Sequence, residues 1–499
     1  MNRPRCCIVF VLALGALTSR AGGQQYRLRL DTRVQSVSFR GVSLDSVPAS
    51  QTVVAPGGGR ETSDGFAVSC GPAASFCFFF RPGPTQSARP AVSSASATIW
   101  DLGLPGLSLK ADARLAVDLG DADVWPGTEP AVQLLEGYAE YAAERLTGRL
   151  GRQVYTSRLG FTGFDGARLT GRIVPGRVEA DGYLGWGMGR GSALPVTSDA
   201  LNPLDDFQPR QRQLVAGAAV GWNHPLGSTR LEYQREVDPR SDYFVSERAA
   251  LATTVRLPSR FVLDGGVEYD MAQAEWGSAD ASIRFSDRTL TASAGFKRYR
   301  PHFELWTIWG AFSPVGYSGI NGSISVVPIR GLSLRARGSR FWFEESDTET
   351  PLVSVEDRGW QLSFGATYSL SPALAVSADQ ATAFGPGGSY TSFEGEISWL
   401  PYSLLTLSAQ AGRLNRPLEF RFDEATLYHV GVQAEWRLSD RWKANLGASR
   451  FMEERDRPDA AAFDWDQTRI VAGLSVMLGW EEGQVPLPPA VRTRTGSDP

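Results

Sequence analysis

The chain has 499 residues, 21% of them charged and 11% aromatic, with a formal net charge of -4. So small a charge, with no basic domain, excludes a nucleic-acid partner. A mean hydropathy of -0.19, with no apolar stretch of the ~20 residues a helical span needs, excludes a helical membrane protein but not a membrane barrel.

At the N-terminus, Arg3 and Arg5 precede an apolar run over 6–17, and small residues follow over 19–23. That order is an export signal, with cleavage expected between Ala21 and Gln25 and residues 1–23 removed. Of the four cysteines, Cys6 and Cys7 precede the apolar stretch, the wrong place for a lipid-modified cysteine, and leave with the signal. Cys70 and Cys77 remain. An oxidising compartment makes a short-loop disulfide the natural reading, with free thiols packed among Phe76, Phe78 and Phe80 as the alternative. Residues 24–93 form an N-terminal lead-in with the first strand or strands. Within it, 26–39 reads either as a strand or as a periplasmic lead-in, and 66–81 as a first upward strand.

From Ser94 onward the chain alternates apolar and polar side chains, the period of a strand with one oily face. Phe261, Leu263, Val267, Tyr269 and Met271 oppose Arg260, Asp264, Glu268 and Asp270. Leu290, Ala292, Ala294 and Phe296 oppose Thr291, Ser293 and Lys297. Trp360, Leu362, Phe364, Ala366, Tyr368 and Leu370 oppose Gln361, Ser363, Thr367 and Ser369. A whole hairpin is legible where Tyr428, Val430, Val432, Ala434 and Trp436 return as Trp442, Ala444, Leu446 and Ala448. Ile470, Ala472, Leu474, Val476, Leu478 and Trp480 close the series. Tight turns at Pro175-Gly176, Pro258-Ser259, Ser371-Pro372 and Ser439-Asp440 alternate with longer polar stretches at 190–212, 238–247, 344–357 and 453–464. No helices stand ready to cover the oily faces, so lipid must. The expected fold is an all-β, transmembrane antiparallel up-and-down barrel over 94–480. It has short periplasmic turns, longer external loops and roughly 18–24 strands, with about 22 the best count. The proline-bearing tail 481–499 reads as disordered and periplasmic. Trp480 suits the terminal aromatic that barrel assembly machinery recognises.

Two segments carry more than pattern. Thr147-Gly148-Arg149-Leu150-Gly151-Arg152-Gln153 and Phe164-Asp165-Gly166-Ala167-Arg168-Leu169 resemble a stretch of bacterial outer-membrane porins of the alginate-export type. The resemblance implies an outer-membrane channel with arginines in its lumen, passing anionic or saccharide solutes. Read from the residues, Arg149, Arg152, Arg168 and Arg172, with Asp165 among their partners, are pore-lining candidates. Guanidinium groups in a pore select by charge, or pair with carboxylates as a ladder bracing the wall. Residues 299–319 break the alternation, and Phe303, Trp306, Trp309 and Phe312 make this a candidate constriction loop. Three scattered histidines and two thiols form no structural metal site, and none of His224, His302 and His429 accompanies a nucleophile motif. The expectation is a porin-like channel for passive passage of small hydrophilic solutes, with no cofactor, no catalytic residues and outer-membrane lipid around it. The alternatives are a structural or adhesive barrel acting through its external loops and, more remotely, an outer-membrane hydrolase.

Overall fold

The computed structural model describes residues 25–54, 59–71, 74–120, 132–188, 213–237, 244–300, 316–344, 358–385, 388–415, 425–455 and 465–479. The strands are β1 (Gln25–Pro48), the short β2 (Val53–Val54), β3 (Arg60–Glu61) and β4 (Ser69–Cys70), then β5 (Phe76–Ala88), β6 (Pro90–Trp100), β7 (Leu107–Asp118), β8 (Val132–Ala142) and β9 (Leu146–Ser157). Next come β10 (Gly160–Val174), β11 (Val178–Gly187), β12 (Leu214–His224), β13 (Gly227–Val237), β14 (Phe244–Leu257), β15 (Phe261–Asp270), β16 (Glu275–Ser286) and β17 (Leu290–Tyr299). The series ends with β18 (Tyr317–Ile329), β19 (Leu332–Phe343), β20 (Arg358–Ser371), β21 (Leu374–Gly385), β22 (Gly388–Tyr402), β23 (Leu405–Asn415), β24 (Ala425–Arg437), β25 (Trp442–Arg455) and β26 (Trp465–Leu478).

β1 and β6 to β26 form a closed antiparallel ring of 22 strands, each paired with its chain neighbour. Closure runs from Leu28–Leu478 to Val37–Arg469 between β1 and β26, leaving no free edge within the wall. Alternation sets the two faces. Leu362 and Phe364 on β20, Ile397 and Trp399 on β22, Val430 and Val432 on β24, and Ile470 and Leu474 on β26 are all exposed apolar side chains of one parity. A wall strand of 11 residues such as β12, tilted at ~45°, spans roughly 25 Å, the height of a bilayer's apolar band. Even strand number, an apolar outer belt, and short turns at one end with longer connections at the other make this a bacterial outer-membrane barrel.

The wall begins earlier than the expected Ser94. Residues 26–39 are not a lead-in: β1 alternates Leu28, Leu30 and Val34 with Arg27, Arg29 and Arg33, and so can face lipid on one side and water on the other. Residues 66–81 are not an upward wall strand either. β5 runs back along the outer half of β1, from Val37–Ala88 to Pro48–Phe76, beyond the last residues that pair with β26 or β7. The result is a two-stranded ribbon rising from the external rim. It is stapled by a Cys70–Cys77 disulfide, beside which the Phe66 and Phe79 rings pack 5.5 Å apart. The signal, Trp480 and the tail lie outside the described residues.

Candidate functional site

The largest buried cluster among the described barrel residues lies against one interior wall. Tyr155, Phe164, Tyr183 and Val215, on β9 to β12, are each at most 6% exposed. They carry the parity opposite to Leu150, Leu169, Leu184 and Val220, all exposed apolar residues, and therefore point inward. An apolar side chain on the inward, polar face of a barrel wall needs a cover. The end of the β9–β10 hairpin supplies it.

Only Arg158 and Leu159 separate β9 from β10, at the end of the barrel where most connections are long. β10 does not meet β11 until Phe164, so the preceding residues are free to turn in. Leu159 is buried. Thr162 Oγ1 donates to Gln234 Oε1 at 3.0 Å, and the Tyr183 hydroxyl donates to the same oxygen at 3.2 Å. The Arg158 amide donates to Glu232 Oε2 at 2.9 Å, and its guanidinium pairs with Asp280 on β16. Contacts from this hairpin to β13 and β16 skip two or more strands of a closed wall, so they pass through the interior.

Two glycines make room for this packing. Gly217 stands directly opposite Tyr183, and any Cβ there would overlap the phenol ring. At Gly266 a Cβ would sit 2.6 Å from the Arg158 guanidinium carbon.

Charge is balanced beneath the hairpin. Arg230 Nη2 donates to Asp181 Oδ2 at 2.7 Å and to the Tyr155 hydroxyl at 2.6 Å, and its Nε donates to Glu232 Oε1 at 2.7 Å. Asp181 Oδ1 also accepts from Arg168 Nη2 at 2.8 Å and from Thr170 Oγ1 at 2.6 Å. The Arg168 guanidinium lies over the Tyr155 ring, 4.7 Å from its centroid. Each buried carboxylate thus keeps a cation, the condition for burying charge without a large penalty.

The candidates from sequence divide between the two faces. Arg149 and Arg168 face the lumen: Arg149 Nε donates to Glu140 at 2.5 Å and its guanidinium sits 5.0 Å from the Tyr138 ring centroid. Arg172 shares that face at the periplasmic end, where its Nη1 donates to the Glu144 carbonyl at 2.8 Å. Arg152 and Asp165 do not face the lumen. They stand opposite one another and opposite Trp186, on the parity of Leu150 and Leu169, so the outward face holds both. A two-point pair at 2.7 and 3.1 Å, with a third guanidinium bond to the Leu134 carbonyl at 2.9 Å, neutralises them there. Phe303, Trp306, Trp309 and Phe312 lie outside the described residues.

Tyr155, Arg230, Glu232, Gln234 and Asp280 were not singled out from the sequence. The signal was available in Tyr155, Phe164 and Tyr183, three aromatic residues on the water-side parity of neighbouring strands.

No protein-family model matches the chain, and no curated protein matches it. Among solved structures, the copper transporter OprC is similar at 11% identity, with 92% of this chain and 81% of that one covered and a TM-score of 0.47. A BenF-like porin from Pseudomonas fluorescens Pf-5 is similar at 10% identity, with 91% and 99% covered and a TM-score of 0.38. Acinetobacter baumannii OccAB4 is similar at 9% identity, with 92% and 100% covered and a TM-score of 0.38.

Proposed function

We propose that the barrel is a passive, porin-like channel for small hydrophilic solutes, in which the β9–β10 hairpin narrows the passage from one side. The inward hairpin, held by Arg158–Asp280 and Arg230–Asp181, is the observation that carries this reading. A round ring of 22 strands is roughly 40 Å across between backbones. A cluster on one wall therefore constricts such a lumen without filling it. An anionic or saccharide solute is the finer proposal. Arg33, Arg114, Arg284 and Arg337 have lumen-side parity and no carboxylate partner among the described residues. The local resemblance to alginate-export-type porins points the same way, through Arg149 and Arg168 rather than Arg152.

The test is single-channel recording in a planar bilayer under a potassium chloride gradient. Discrete ohmic steps with a reversal potential displaced toward chloride are expected. A silent membrane containing heat-modifiable, folded protein would overturn the channel reading, and a displacement toward potassium would overturn the anion preference. The ribbon beyond the rim favours a second, adhesive role, since Phe76, Phe78 and Phe80 are all more than half exposed along one of its faces. Deleting residues 42–82 would abolish surface attachment and leave conductance steps intact under that reading.

A further inference from the structure

We infer that the outward face of β20 to β24, at the external end, is a binding site for the phosphorylated sugar headgroup of an outer-leaflet glycolipid. A cavity of about 390 Å³ opens there, lined by Trp360, Thr382, Phe384, Thr391, Arg413 and Asn415 among others. Strand register puts these side chains on the lipid side. Trp360 stands opposite Phe384, Thr382 opposite Thr391, and Thr391 opposite Asn415, on the parity of Leu362, Phe364, Phe393 and Ile397 of the apolar belt. All lie within a few residues of the external strand ends, the level at which an outer-leaflet headgroup meets the barrel.

The lining matches that headgroup group by group. The Trp360 and Phe384 rings stack with centroids 6.5 Å apart and offer an aromatic wall to a sugar face. Thr382, Thr391 and Asn415 supply hydroxyl and amide partners for sugar oxygens. Arg413 supplies the cation for a phosphate; its guanidinium rests 5.6 Å from the Tyr428 ring centroid, and no carboxylate among the described residues pairs with it. Arg340, directly opposite Trp360 on β19, adds a second outward cation beside the aromatic wall, likewise without a carboxylate partner among the described residues. Guanidinium groups at the rim of a lipid-facing surface are costly unless an anion meets them, and a phosphate, which they bind at two points, is the anion a membrane surface offers. An ordinary phospholipid would satisfy the cations but leave the hydroxyl row and the ring wall unused.

The inference rests on the barrel's orientation, not on channel activity. Its test uses the full chain in phosphatidylcholine nanodiscs doped with diphosphoryl lipid A, with bound lipid counted by native mass spectrometry. Wild-type protein retains lipid A, and Arg413→Gln lowers retention about tenfold, the worth of one charge-assisted contact. Trp360→Ala lowers it too, and Arg413→Lys restores part of it. Arg335→Gln, which removes the same charge from the lumen-facing Arg335–Asp379 pair, leaves retention unchanged. A heat-modifiable gel shift establishes that each variant is folded. Equal retention of dephosphorylated lipid A would overturn the phosphate assignment. Equal retention of phosphatidylglycerol would overturn the sugar assignment, and unchanged retention in folded Arg413→Gln would overturn the site. Conductance steps are read separately, so loss of lipid binding and loss of channel function remain distinct results.

Discussion

Arg230→Gln puts the inward hairpin to its sharpest test. The Arg230 side chain serves three acceptors, and the two carboxylates are nearly sealed from water, with 1% of Asp181 and 5% of the Glu232 side chain exposed. Removing one partner of a buried pair costs about 3–5 kcal/mol, because the other charge stays behind. Here Asp181 retains Arg168 and Thr170, and Glu232 retains the Arg158 amide, so the loss falls near the lower end, about 3 kcal/mol. The comparison variant is Arg335→Gln, whose pair with Asp379 is 42% and 54% exposed. Such a pair is worth about 0–1 kcal/mol. Urea titration of both variants refolded into lipid vesicles, followed by tryptophan fluorescence, reads the difference at constant m-value. A second variant, Arg230→Gln with Glu232→Gln, removes one stranded charge and recovers part of the loss. Arg230→Gln destabilised no more than Arg335→Gln would refute the sealed network, and with it the claim that the hairpin is fixed inside the barrel. Single-channel traces of the folded variant are expected to show added open-state noise, because the Tyr155 tether is gone.

Three further outcomes follow from the same geometry. Gly217→Leu drives a side chain into the Tyr183 ring and displaces the aromatic cluster, so mean conductance rises and stability falls by about 1–3 kcal/mol in the same vesicle titration. Val432→Arg, on the outward face, costs about 2–4 kcal/mol if it sits at mid-depth, whereas its neighbour Gln433→Arg, on the lumen face, costs little; equal costs would reverse the face assignment. Asp165→Asn strands the Arg152 cation on the lipid side and costs about 3–5 kcal/mol in refolding titrations, while Arg152→Leu with Asp165→Leu is nearly neutral; a neutral single variant would place the pair in water.

The barrel was legible because its signal is repeated. A parity set by lipid on one side recurs in every wall strand, and local errors average out over many hairpins. β1 stayed open between strand and lead-in because Arg27, Arg29, Asp31 and Arg33 give it the look of a polar segment until its partner β26 is known. The cluster of arginines was found, but not its division by face. Alternation alone puts Arg149 and Arg152, three residues apart, on opposite faces of one strand, but does not say which of them turns inward. That distinction needs the exposed Leu150 and the cross-strand partner Glu140. The hairpin escaped for a different reason. Its ligands Arg230, Glu232, Gln234 and Asp280 lie 70 or more residues along the chain, and contacts through a lumen leave no periodic trace in sequence.

The two faces of this wall use arginine by opposite logic. Inside, a guanidinium can be solvated, so Arg33 and Arg337 stand without a carboxylate partner among the described residues, and pairing is required where the hairpin seals Asp181 and Glu232. Outside, hydrocarbon offers no partner, so Arg152 carries its own carboxylate with it, and the cations without one among the described residues, such as Arg340 and Arg413, stand near the strand ends. Depth and face together therefore fix what each arginine can do. Those under the hairpin hold a shape, those on the open lumen wall are the ones the proposed channel would present to a solute, and those at the outer rim are the ones the proposed glycolipid site would use.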